Sequence, residues 1–520
     1  MTESKTDRSV QIRQALISVS DRTGLADLAG FLVKHDIVIT ATGGTGDYLR
    51  AQGIPVNDLE SISSFRQLLG GRVKSLHPAV HAAILADRNE ADHLNDLQSL
   101  GVQPFDLVIG GLYAFESVAI DGWNALAREA VDIGGPAMIR AAAKNHEWVT
   151  VIADPVDYSE FSQEMREGQG TVSHGFRRRM AASVFRKTAE YDARIADSLD
   201  GELLAKNKTL TLRRVQQLRY GENPHQQAAF YAVPPLSGFA AAKQWAGPAL
   251  SYNNIADAQA AFSLVSEFNP EETSACAIIK HGAPCGVALS SQTAIAFERA
   301  RMTDPVSAFG GVIGLNCSLD LRTVEAISKR FFELIVAPDA EQDAMRHLRQ
   351  NERIRFVALP RDQSGPSIAW RSVAGGFLAQ ESSQFEKGNL VCHVVTRLRP
   401  NPAQWSDLQF AWIVAKHAKS NAITIVRDGA AIGIGSGHTS RVDAAQAAAE
   451  PLSTVPESDH DLVAASDGFF PFPDSVEKLA EAGIRAIIQP GGSKRDQDVI
   501  DAANQMGIAM ILTGRRQFRH

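Results

Sequence analysis

The sequence predicts an α/β protein whose sheets are connected by crossover helices. Apolar runs at residues 14–19 and 37–41 are predicted strands, and residues 25–34 between them form a predicted helix. A second unit of this kind is predicted near residue 404, where a helical stripe precedes an apolar strand at residues 422–426. Strands that alternate with helices pair in parallel, because each crossover returns the chain to the same edge of the sheet.

The composition indicates a multidomain globular protein. The chain has 520 residues, of which 44% are hydrophobic and 21% charged, which suffices for two to four domains. Its formal net charge of −7 argues against a general nucleic-acid binder. Four scattered cysteines lack metal or disulfide spacing, so reduced thiols in a cytoplasmic protein are expected. Residues 1–10 are polar rather than signal-like, and no apolar run approaches the roughly 18 residues of a membrane span.

Two glycine-rich loops follow the first two predicted strands, at residues 20–24 and 42–46. Backbone N–H groups, hydroxyls and the positive end of the next helix can hold a phosphate there. Such loops also occur simply to close strand–helix units, and that alternative stays open. Neither loop has a Walker A sequence or the GxGxxG fingerprint, which favours one phosphate monoester over a dinucleotide.

A glycine-led segment at residues 70–81 combines two cations, a hydroxyl and two histidines. Arg72 and Lys74 predict an anion or oxyanion site. His77 and His81 lie four residues apart, but a proline interrupts the interval and the HExxH pattern is missing. The sequence therefore disfavours a metal site at these two histidines.

The segment of residues 132–146 is a glycine turn that leads into a predicted helix. Arg140 and Lys144 share one face at i,i+4 spacing, where like charges repel unless an anion lies between them. A solvated basic face is the alternative. A predicted strand at residues 105–112 ends at Tyr113.

The apolar run at residues 277–279 ends in Lys280 and His281 and then breaks into a Gly/Pro turn. Ligands of α/β sheets bind at strand ends. Lysine can stabilise negative charge on oxygen, and histidine can transfer a proton near neutral pH. The pair predicts transfer of an acyl-type group to a nitrogen nucleophile, with an ordinary surface pair as the alternative.

Other candidates flank that pair. Arg219 and Tyr220 offer a guanidinium and a ring for a nucleotide, and Asn254 and Asp257 offer polar contacts, with turn formation as the alternative. Residues 331–336 are predicted to end a helix that contains Glu333.

The C-terminal part of the chain adds three candidate segments. Residues 433–441 form another glycine-rich anion candidate, and residues 469–472 include aromatic side chains suited to a flat ring. The basic, aromatic tail at residues 513–520 is typical of a frayed terminus.

Five motifs of the front third resemble the IMP cyclohydrolase domain of the bifunctional AICAR formyltransferase/IMP cyclohydrolase family. They are SVSD (18–21), TGGT (42–45), GRVKSLHP (71–78), DIGG (132–135) and RAAAKNH (140–146). The resemblance implies a methylglyoxal-synthase-like parallel α/β domain. It implies catalytic roles for Lys74, Tyr113, Asp132 and Lys144. It implies substrate contacts by Ser20, Arg22, Thr42, Gly43, Gly44, Thr45, Arg72 and Ser75.

One motif departs from that family. An Asn-Leu-Tyr-Pro-Phe sequence is expected around the tyrosine, whereas residues 111–115 read Gly-Leu-Tyr-Ala-Phe. The Asn amide is missing at Gly111, so one substrate contact of the family is in doubt here.

The rest of the chain resembles the formyltransferase part of the same family. The matching segments are residues 218–226, 280–286, 433–441, 466–472 and 516–520. The resemblance implies two cytidine-deaminase-like subdomains. The expected domains are 1–200, a linker at 201–212, and 213–520 with subdomains at about 213–375 and 390–520. The zinc signature of deaminases, HxE with PCxxC, is missing, so no catalytic metal is expected.

The resemblance also implies a reaction and its participants. The 5-amino group of AICAR attacks the formyl carbon of 10-formyltetrahydrofolate, His281 relays the proton, and Lys280 and Asn421 stabilise the oxyanion. Formyl-AICAR then cyclises to IMP with loss of water. Family members are homodimers with shared formyltransferase sites. The implied binding residues are Arg219, Tyr220, Asn254, Asp257, Phe309, Gly310, Glu333, Arg441, Phe469, Phe470, Pro471, Asp474, Arg516 and His520.

Two other functions are compatible with parts of the sequence. A phosphosugar lyase would use the front domain and leave the remainder unexplained. A nucleotide-sensing module would need only the two phosphate-binding loops, and His281 would then affect affinity alone.

Overall fold

The structure is a computed structural model that confirms the α/β class. It describes residues 9–63, 68–69, 72–73, 75–113, 115–118, 122–351, 353–360, 368–382, 391–454, 456 and 458–520. The chain divides into two compact units, residues 1–211 and 212–520. In the described ranges, no helix has the length and apolar character needed to cross a bilayer.

The N-terminal unit alternates strands and helices. Its strands are β1 (Val10–Gln11), β2 (Gln14–Ser18), β3 (Val38–Ala41), β4 (Asn57–Asp58), β5 (Leu107–Gly110), β6 (Thr150–Ile152) and β7 (Thr171–Val172). Its helices are α1 (Leu25–Lys34), α2 (Gly43–Ala51), α3 (Glu60–Ser63), α4 (Pro78–Leu85), α5 (Ala91–Leu100), α6 (Phe115–Val118), α7 (Ala125–Glu129), α8 (Gly134–Lys144), α9 (Tyr158–Glu167) and α10 (His174–Asp200).

Strands β2 to β6 form a parallel sheet in the order β4-β3-β2-β5-β6. The central strands are continuous apolar runs, and Leu16, Ile39 and Val108 are buried in one core. Strands of this kind have both faces covered by helices. The carboxyl ends of β2, β3 and β5 meet at one edge, which is where such sheets bind ligands.

The C-terminal unit contains the remaining elements. Its strands are β8 (Arg213–Leu218), β9 (Ala228–Ala232), β10 (Lys243–Ala246), β11 (Ser274–Lys280), β12 (Ala283–Ser290), β13 (Val312–Leu315), β14 (Leu334–Ala337), β15 (Arg355–Ala358), β16 (Ile368–Val373), β17 (Gly376–Glu381), β18 (His393–Val394), β19 (Ile423–Arg427), β20 (Ala430–Gly435), β21 (Leu462–Ser466), β22 (Ile484–Gln489) and β23 (Ala509–Leu512). Its helices are α11 (Tyr252–Val265), α12 (Thr293–Thr303), α13 (Leu321–Ser328), α14 (Gln342–Gln350), α15 (Pro402–His417), α16 (Arg441–Ala449), α17 (Asp474–Glu481) and α18 (Asp496–Gln505).

One mixed sheet runs through this unit in the order β10-β15-β14-β13-β11-β12-β20-β19-β21-β22-β23-β18. Its two sides repeat each other. An antiparallel hairpin (β11–β12 or β19–β20) is followed by three parallel strands (β13–β15 or β21–β23). The two hairpins join through β12 and β20, where Ala288 pairs with Ala430. The repeat fits the two α/β subdomains that were expected.

Two local predictions were wrong. Glu333 does not lie in a helix: α13 ends at Ser328, and β14 begins directly after Glu333. The tail is not frayed, because Gln517 N–H donates to the Asp467 carbonyl and Ser420 N–H donates to the Arg519 carbonyl. Charge and aromatic content suggested a loose terminus, but these long-range backbone bonds hold it.

Candidate active sites

The two glycine-rich loops of the N-terminal unit meet at the ends of β2 and β3. The Thr45 hydroxyl donates to the Val19 carbonyl (3.1 Å) and accepts from the Val19 N–H (3.2 Å). The Ser18 and Thr42 hydroxyls lie 2.9 Å apart. Helix α2 already begins at Gly43, so its first-turn N–H groups lie at this edge. Gly43, Gly44 and the two threonines therefore form the start of a helix that is fastened to β2.

Arg22 extends over the same helix start. Its Nη2 donates to the Gly44 carbonyl (3.1 Å), and its guanidinium lies 4.9 Å from the centroid of the Tyr48 ring. Ser20 Oγ donates to the Leu112 carbonyl (2.7 Å) and thereby ties this loop to the end of β5. A cation and a helix N-terminus at one point form an arrangement that can bind an anion.

Gly111 lies beside this loop. Its N–H donates to the Ser18 carbonyl (3.0 Å). A Cβ added at Gly111 would lie 3.5 Å from Ser20 N and 3.5 Å from Val19 Cα, which is ordinary van der Waals contact. A Cβ therefore fits at this position, where the family resemblance predicts an asparagine.

Tyr113 and Asp132 interact electrostatically. Burial, and secondarily the Asp132 carboxylate, raise the pKa of the Tyr113 phenol. Asp132 Oδ1 accepts from the Gly135 N–H (2.9 Å) at the start of α8, and the Asp132 N–H donates to the Tyr191 hydroxyl (2.7 Å). Tyr113 thus stays protonated at neutral pH and can donate, while Asp132 presents a fixed acceptor.

The remaining predicted site residues of the N-terminal unit are distributed over several elements. Ser75 lies at the start of α8, because a Cβ on Gly134 would be 2.9 Å from its Oγ. Arg72 Nη2 donates to both Glu129 carboxylate oxygens (2.5 and 2.6 Å). Lys144 ends α8, whose rise of about 1.5 Å per residue puts its backbone about 15 Å from the Asp132 end. Asp132 and Lys144 therefore flank opposite ends of α8. Lys74 lies outside the described residues.

In the C-terminal unit, Lys280 and His281 form the tip of the β11–β12 hairpin. Lys280 Nζ donates to the Phe309 carbonyl (2.7 Å). His281 has a left-handed backbone (φ 54°), which is strained for a non-glycine residue and turns it out of the strand. Asp257 Oδ1 accepts from the Gly282 N–H (2.7 Å). Burial raises the pKa of Asp257, although the Gly282 N–H and the charge of His281 oppose that rise.

Lys419 is a second cation at this hairpin tip. A Cβ on Gly282 would lie 3.8 Å from Lys419 Cε and Nζ. Sequence reasoning missed Lys419 as a site residue, although it lies two residues before Asn421, which was predicted to stabilise the oxyanion. Lys419 lies in the loop between α15 and β19, so its approach to Gly282 joins distant parts of the chain, which no local sequence pattern reports.

A second set of candidates is held close to Lys280. Asn254 is buried, and its Nδ2 donates to Glu333 Oε2 (2.8 Å). The Gly310 N–H donates to the Phe331 carbonyl (2.9 Å), and the Phe309 and Phe331 rings have centroids 5.5 Å apart. The Phe309 ring is 63% exposed, so it is available to stack on a heterocycle.

Asn421 and Arg441 belong to a buried polar network. Arg441 Nη2 donates to Asn421 Oδ1 (2.6 Å), and Nη1 donates to Asp467 Oδ1 (2.5 Å) and Ser466 Oγ (2.8 Å). Asn421 Nδ2 donates to the His438 carbonyl (3.1 Å). Both polar ends of the Asn421 amide are therefore engaged within the protein, and sequence reasoning missed Asp467 as the partner of Arg441.

The C-terminal tail lies against this network. The Arg516 guanidinium lies 4.4 Å, and that of Arg441 6.0 Å, from the centroid of the Phe518 ring. The His520 ring centroid lies 5.9 Å from that of Phe518. The structure thus brings the tail candidates to the predicted anion site at Arg441.

The other predicted residues occupy different environments. The Phe470 side chain is fully buried in a hydrophobic core, whereas Phe469 is partly exposed. Asp474 begins α17 and accepts from the Ser475 N–H (2.7 Å), three residues after Pro471. Arg219 lies 5.7 Å from the Tyr220 ring centroid. Among the described residues, no recorded hydrogen bond or ring contact joins Arg219 or Tyr220 to the Lys280–His281 tip.

Comparison with known proteins matches two family models in succession along the chain. The family model described as AICARFT/IMPCHase bienzyme matches residues 142–451, and that of the MGS-like domain matches residues 24–138. A solved structure, described as the crystal structure of ForH, is 33% identical and covers 36% of this chain and 99% of its own. Its TM-score is 0.33, so it carries no structural argument.

Curated relatives match almost the whole chain. The bifunctional purine biosynthesis protein PurH of Cereibacter sphaeroides (strain ATCC 17025) is 45% identical and covers 98% of this chain and 99% of its own. PurH of Brucella ovis is 45% identical over 98% of this chain and 97% of its own. With both family models matched in order and the relatives covered end to end, the chain belongs to the AICAR formyltransferase/IMP cyclohydrolase family, the bifunctional enzymes of purine biosynthesis.

Proposed function

We propose that the hairpin tip of Lys280 and His281 carries out formyl transfer, and that the edge of the N-terminal sheet carries out cyclisation. The observation that supports the first assignment is that Lys280 and His281 occupy one hairpin tip and that the Lys419 ammonium lies beside Gly282 of the same tip. A carboxylate, Asp257, fixes the backbone of that tip. Proton transfer and oxyanion stabilisation need groups of these two kinds.

In the proposed transfer, the AICAR amine attacks the formyl carbon of 10-formyltetrahydrofolate and a tetrahedral oxyanion forms. His281 accepts the proton that the amine loses and delivers it to the departing folate nitrogen. Lys280 stabilises the oxyanion, and one such positioned donor contributes about 3 kcal/mol. Asn421 is a second donor in this proposal, which requires its amide to exchange the His438 carbonyl for the oxyanion.

In the proposed cyclisation, the carboxamide nitrogen of formyl-AICAR attacks the formyl carbon and water leaves. Both reacting groups are on one molecule, so orientation supplies most of the rate increase. Tyr113 donates to the oxygen that becomes the leaving water, and Asp132 accepts a proton from nitrogen. Lys74 and Lys144 remain proposed participants on the strength of their motifs. The 5′-phosphate is bound at the start of α2 by Arg22, Ser20 and the backbone of Gly43 and Gly44.

The formyltransferase site is completed by nucleotide contacts and, in this proposal, by a second subunit. Asn254, Glu333, Phe309 and Gly310 surround the tip, and the tail adds a second group of contacts. The other proposed nucleotide and folate contacts are Asp257, Arg441, Phe469, Phe470, Pro471, Asp474, Arg516 and His520. Phe470 would contribute only its backbone, because its ring is buried. Arg219 and Tyr220 would act across a homodimer interface, since their motif matches but they do not join the tip of their own chain.

We further propose that neither reaction uses a catalytic metal and that the enzyme works in the cytoplasm. The support for the first point is the missing deaminase zinc signature around residues 284–288. Both turnover rates should be unchanged after dialysis against EDTA. A loss of formyl transfer that zinc restores would contradict this part of the proposal.

The main experiment follows formyl-AICAR and IMP separately in the full-length protein. His281→Gln is expected to abolish formyl transfer and to leave cyclisation of supplied formyl-AICAR intact, while Asp132→Asn is expected to do the reverse. Lys144→Met, compared with Lys34→Met on an exposed helix end, tests the motif-based role of Lys144. Loss of the same step in His281→Gln and Asp132→Asn would contradict the assignment of two sites.

The dimer is tested by mixing inactive subunits. His281→Gln and Arg219→Met are each expected to lack formyl transfer. If Arg219 acts across the interface, dimers that contain one subunit of each variant regain activity. One of the two sites in such a dimer contains both the native His281 and the native Arg219. Unchanged inactivity after verified subunit exchange would assign Arg219 to its own chain.

A further inference from the structure

The N-terminal unit contains a group of metal-ligand side chains that neither reaction uses. His146 and Glu147 follow helix α8, and His174 is the first residue of α10. One ligand atom from each of these three residues lies within 4.8 Å of the other two. In the part of the chain that the structure describes, this is the one cluster of three His, Cys, Asp or Glu side chains with such spacing.

The spacing of His174 and Glu147 is close to that of two ligands bound to the same metal ion. His174 Nε2 and Glu147 Oε1 lie 3.2 Å apart. Metal–ligand bonds of about 2.0–2.1 Å at tetrahedral angles separate ligand atoms by about 3.3 Å. An ordinary ion pair accounts for these two residues alone, but it leaves the third imidazole unexplained.

His146 supplies that third group in a suitable orientation. Its Nδ1 lies 3.1 Å from the Ala143 carbonyl, so Nδ1 carries the proton and Nε2 retains its lone pair. A metal-binding histidine is usually oriented by such a bond from its other nitrogen. The His146 and His174 ring centroids are 5.7 Å apart, and both rings lie beside the Glu147 carboxylate.

The backbone that presents the ligands is rigid. Arg177 is fully buried and donates from Nε to the His146 carbonyl (2.8 Å) and from Nη2 to the Glu147 carbonyl (3.1 Å). Its Nη1 donates to the Val172 carbonyl (2.5 Å), which is two residues before His174. One guanidinium thus fixes both chain segments that carry the ligands. Such support keeps ligand side chains in place before the metal arrives.

We propose that His146, Glu147 and His174 bind one zinc ion, with water in the fourth position. Two imidazoles and one carboxylate suit zinc and its neighbours among the divalent transition metals rather than magnesium or calcium. The ion joins the end of α8 to the start of α10 and stabilises the N-terminal unit. It takes no part in either reaction, so its test is independent of the function proposed above.

The test measures binding of Zn²⁺, and of Co²⁺ as a spectroscopic probe, to full-length metal-free protein. We expect one ion per chain, a higher unfolding temperature with zinc, and a four-coordinate Co²⁺ spectrum without a thiolate charge-transfer band. His174→Gln and Glu147→Gln should each weaken binding at least tenfold and abolish the thermal shift. His35→Gln, which changes an exposed imidazole directly after α1, should bind like the native protein.

Several results would overturn the proposal. They are no zinc binding by native protein, equal binding by His174→Gln and native protein, or a thiolate band that assigns the ion to cysteines. Glu147 is exposed and Glu147→Gln preserves its shape, so this variant answers the question even if a histidine variant unfolds. Metal-free native protein should retain both catalytic rates.

Discussion

Arg519, the penultimate residue, donates a hydrogen bond from Nη1 to Nδ1 of His417 at 3.2 Å. Arginine can only donate, so His417 Nδ1 accepts and its proton is on Nε2, which lies 3.0 Å from Glu267 Oε1. Lys416 Nζ bonds to the same carboxylate oxygen at 2.7 Å. A chain of hydrogen bonds from Glu267 through His417 to Arg519 thus holds the tail. The tail in turn places Phe518 beside Arg441.

Removing the last link of this relay should loosen the tail. Arg519→Met loses a hydrogen bond to a charged group, which contributes about 1.5–3 kcal/mol. We expect KM for AICAR to rise about tenfold or more in formyl transfer, while cyclisation is unchanged. Arg515→Met, four residues earlier on the exposed side of the tail, is the control. Equal kinetics for Arg519→Met and native enzyme would show that the backbone bonds alone hold the tail.

Acidification should weaken the C-terminal unit through His417. Burial lowers the pKa of His417, despite the opposing Glu267 carboxylate, so its contribution to stability is lost as pH falls below its ordinary value of about 6.5. Burial alone would raise the pKa of Glu267, but bonds from His417 and Lys416 outweigh it and lower that pKa. The Glu267 contribution is therefore lost only below about pH 4.3.

Urea unfolding at about pH 7.5 and about pH 5.5 separates the two groups, because of these two only His417 binds a proton in the unfolded chain within that interval. We expect the free energy of unfolding to fall less between these values in His417→Gln than in native protein. His393→Gln, which alters an exposed imidazole, should keep the native pH dependence. An identical fall in His417→Gln and native protein would show that other groups cause it.

Gly135, three residues after Asp132, should be essential for cyclisation. A Cβ at Gly135 would lie 2.2 Å from Asp132 Oδ2, so Gly135→Ala must displace that carboxylate. A displacement of about 1 Å costs about 100-fold in rate, and we expect cyclisation to fall by about that factor while formyl transfer is retained. Gly175→Ala, where a Cβ meets nothing within 4 Å, is the matched control. Native cyclisation by Gly135→Ala would remove Asp132 from the mechanism.

Restoring the family asparagine should improve substrate binding in the N-terminal unit. Gly111→Asn fits the backbone and adds an amide beside Ser20, and one hydrogen bond of about 0.5–1.5 kcal/mol lowers KM for formyl-AICAR about 2- to 13-fold. Gly101→Asn, at a left-handed helix end that asparagine tolerates, controls for the added side chain. A higher KM in Gly111→Asn would show that this chain uses the open space for another purpose.

Lys419 should matter for formyl transfer although it lies in the loop between α15 and β19, far from His281 in sequence. Lys419→Met removes one of the two ammonium groups at the tip, and we expect kcat for formyl transfer to fall at least tenfold with cyclisation unchanged. Lys329→Met, an exposed lysine after α13, is the control. Native kcat in Lys419→Met would leave Lys280 as the sole cation of the mechanism.

Predictions of helices and strands were accurate where the sequence pattern involves only neighbouring residues. Helix α1 spans the predicted residues 25–34, and β2 and β3 differ from prediction by one residue at one end. The apolar run before Lys280 is a strand, because its period and turn residues are properties of neighbouring positions. These elements place the glycine loops, Tyr113 and Lys280 at strand ends.

Features that depend on distant contacts could not be read in this way. Lys144 and Asp132 belong to neighbouring motifs, yet Asp132 precedes the first turn of α8 and Lys144 is its last residue. Phe470 looks like its neighbour Phe469 in sequence, but the local turn directs its ring into the core. Lys419 reaches Gly282, and the tail reaches His417, only after the sheet has assembled.

The pairing of β12 with β20, where the two halves of the sheet join, has a consequence for the ancestry of the enzyme. Each side of the sheet carries the same succession of hairpin and parallel strands, as expected from duplication and fusion of one ancestral module. Gly282 belongs to one copy and Lys419 to the other, and the Lys419 ammonium lies beside Gly282. A single copy of the module lacks this junction, so an ancestral module would need a second copy, fused or separate, to form it.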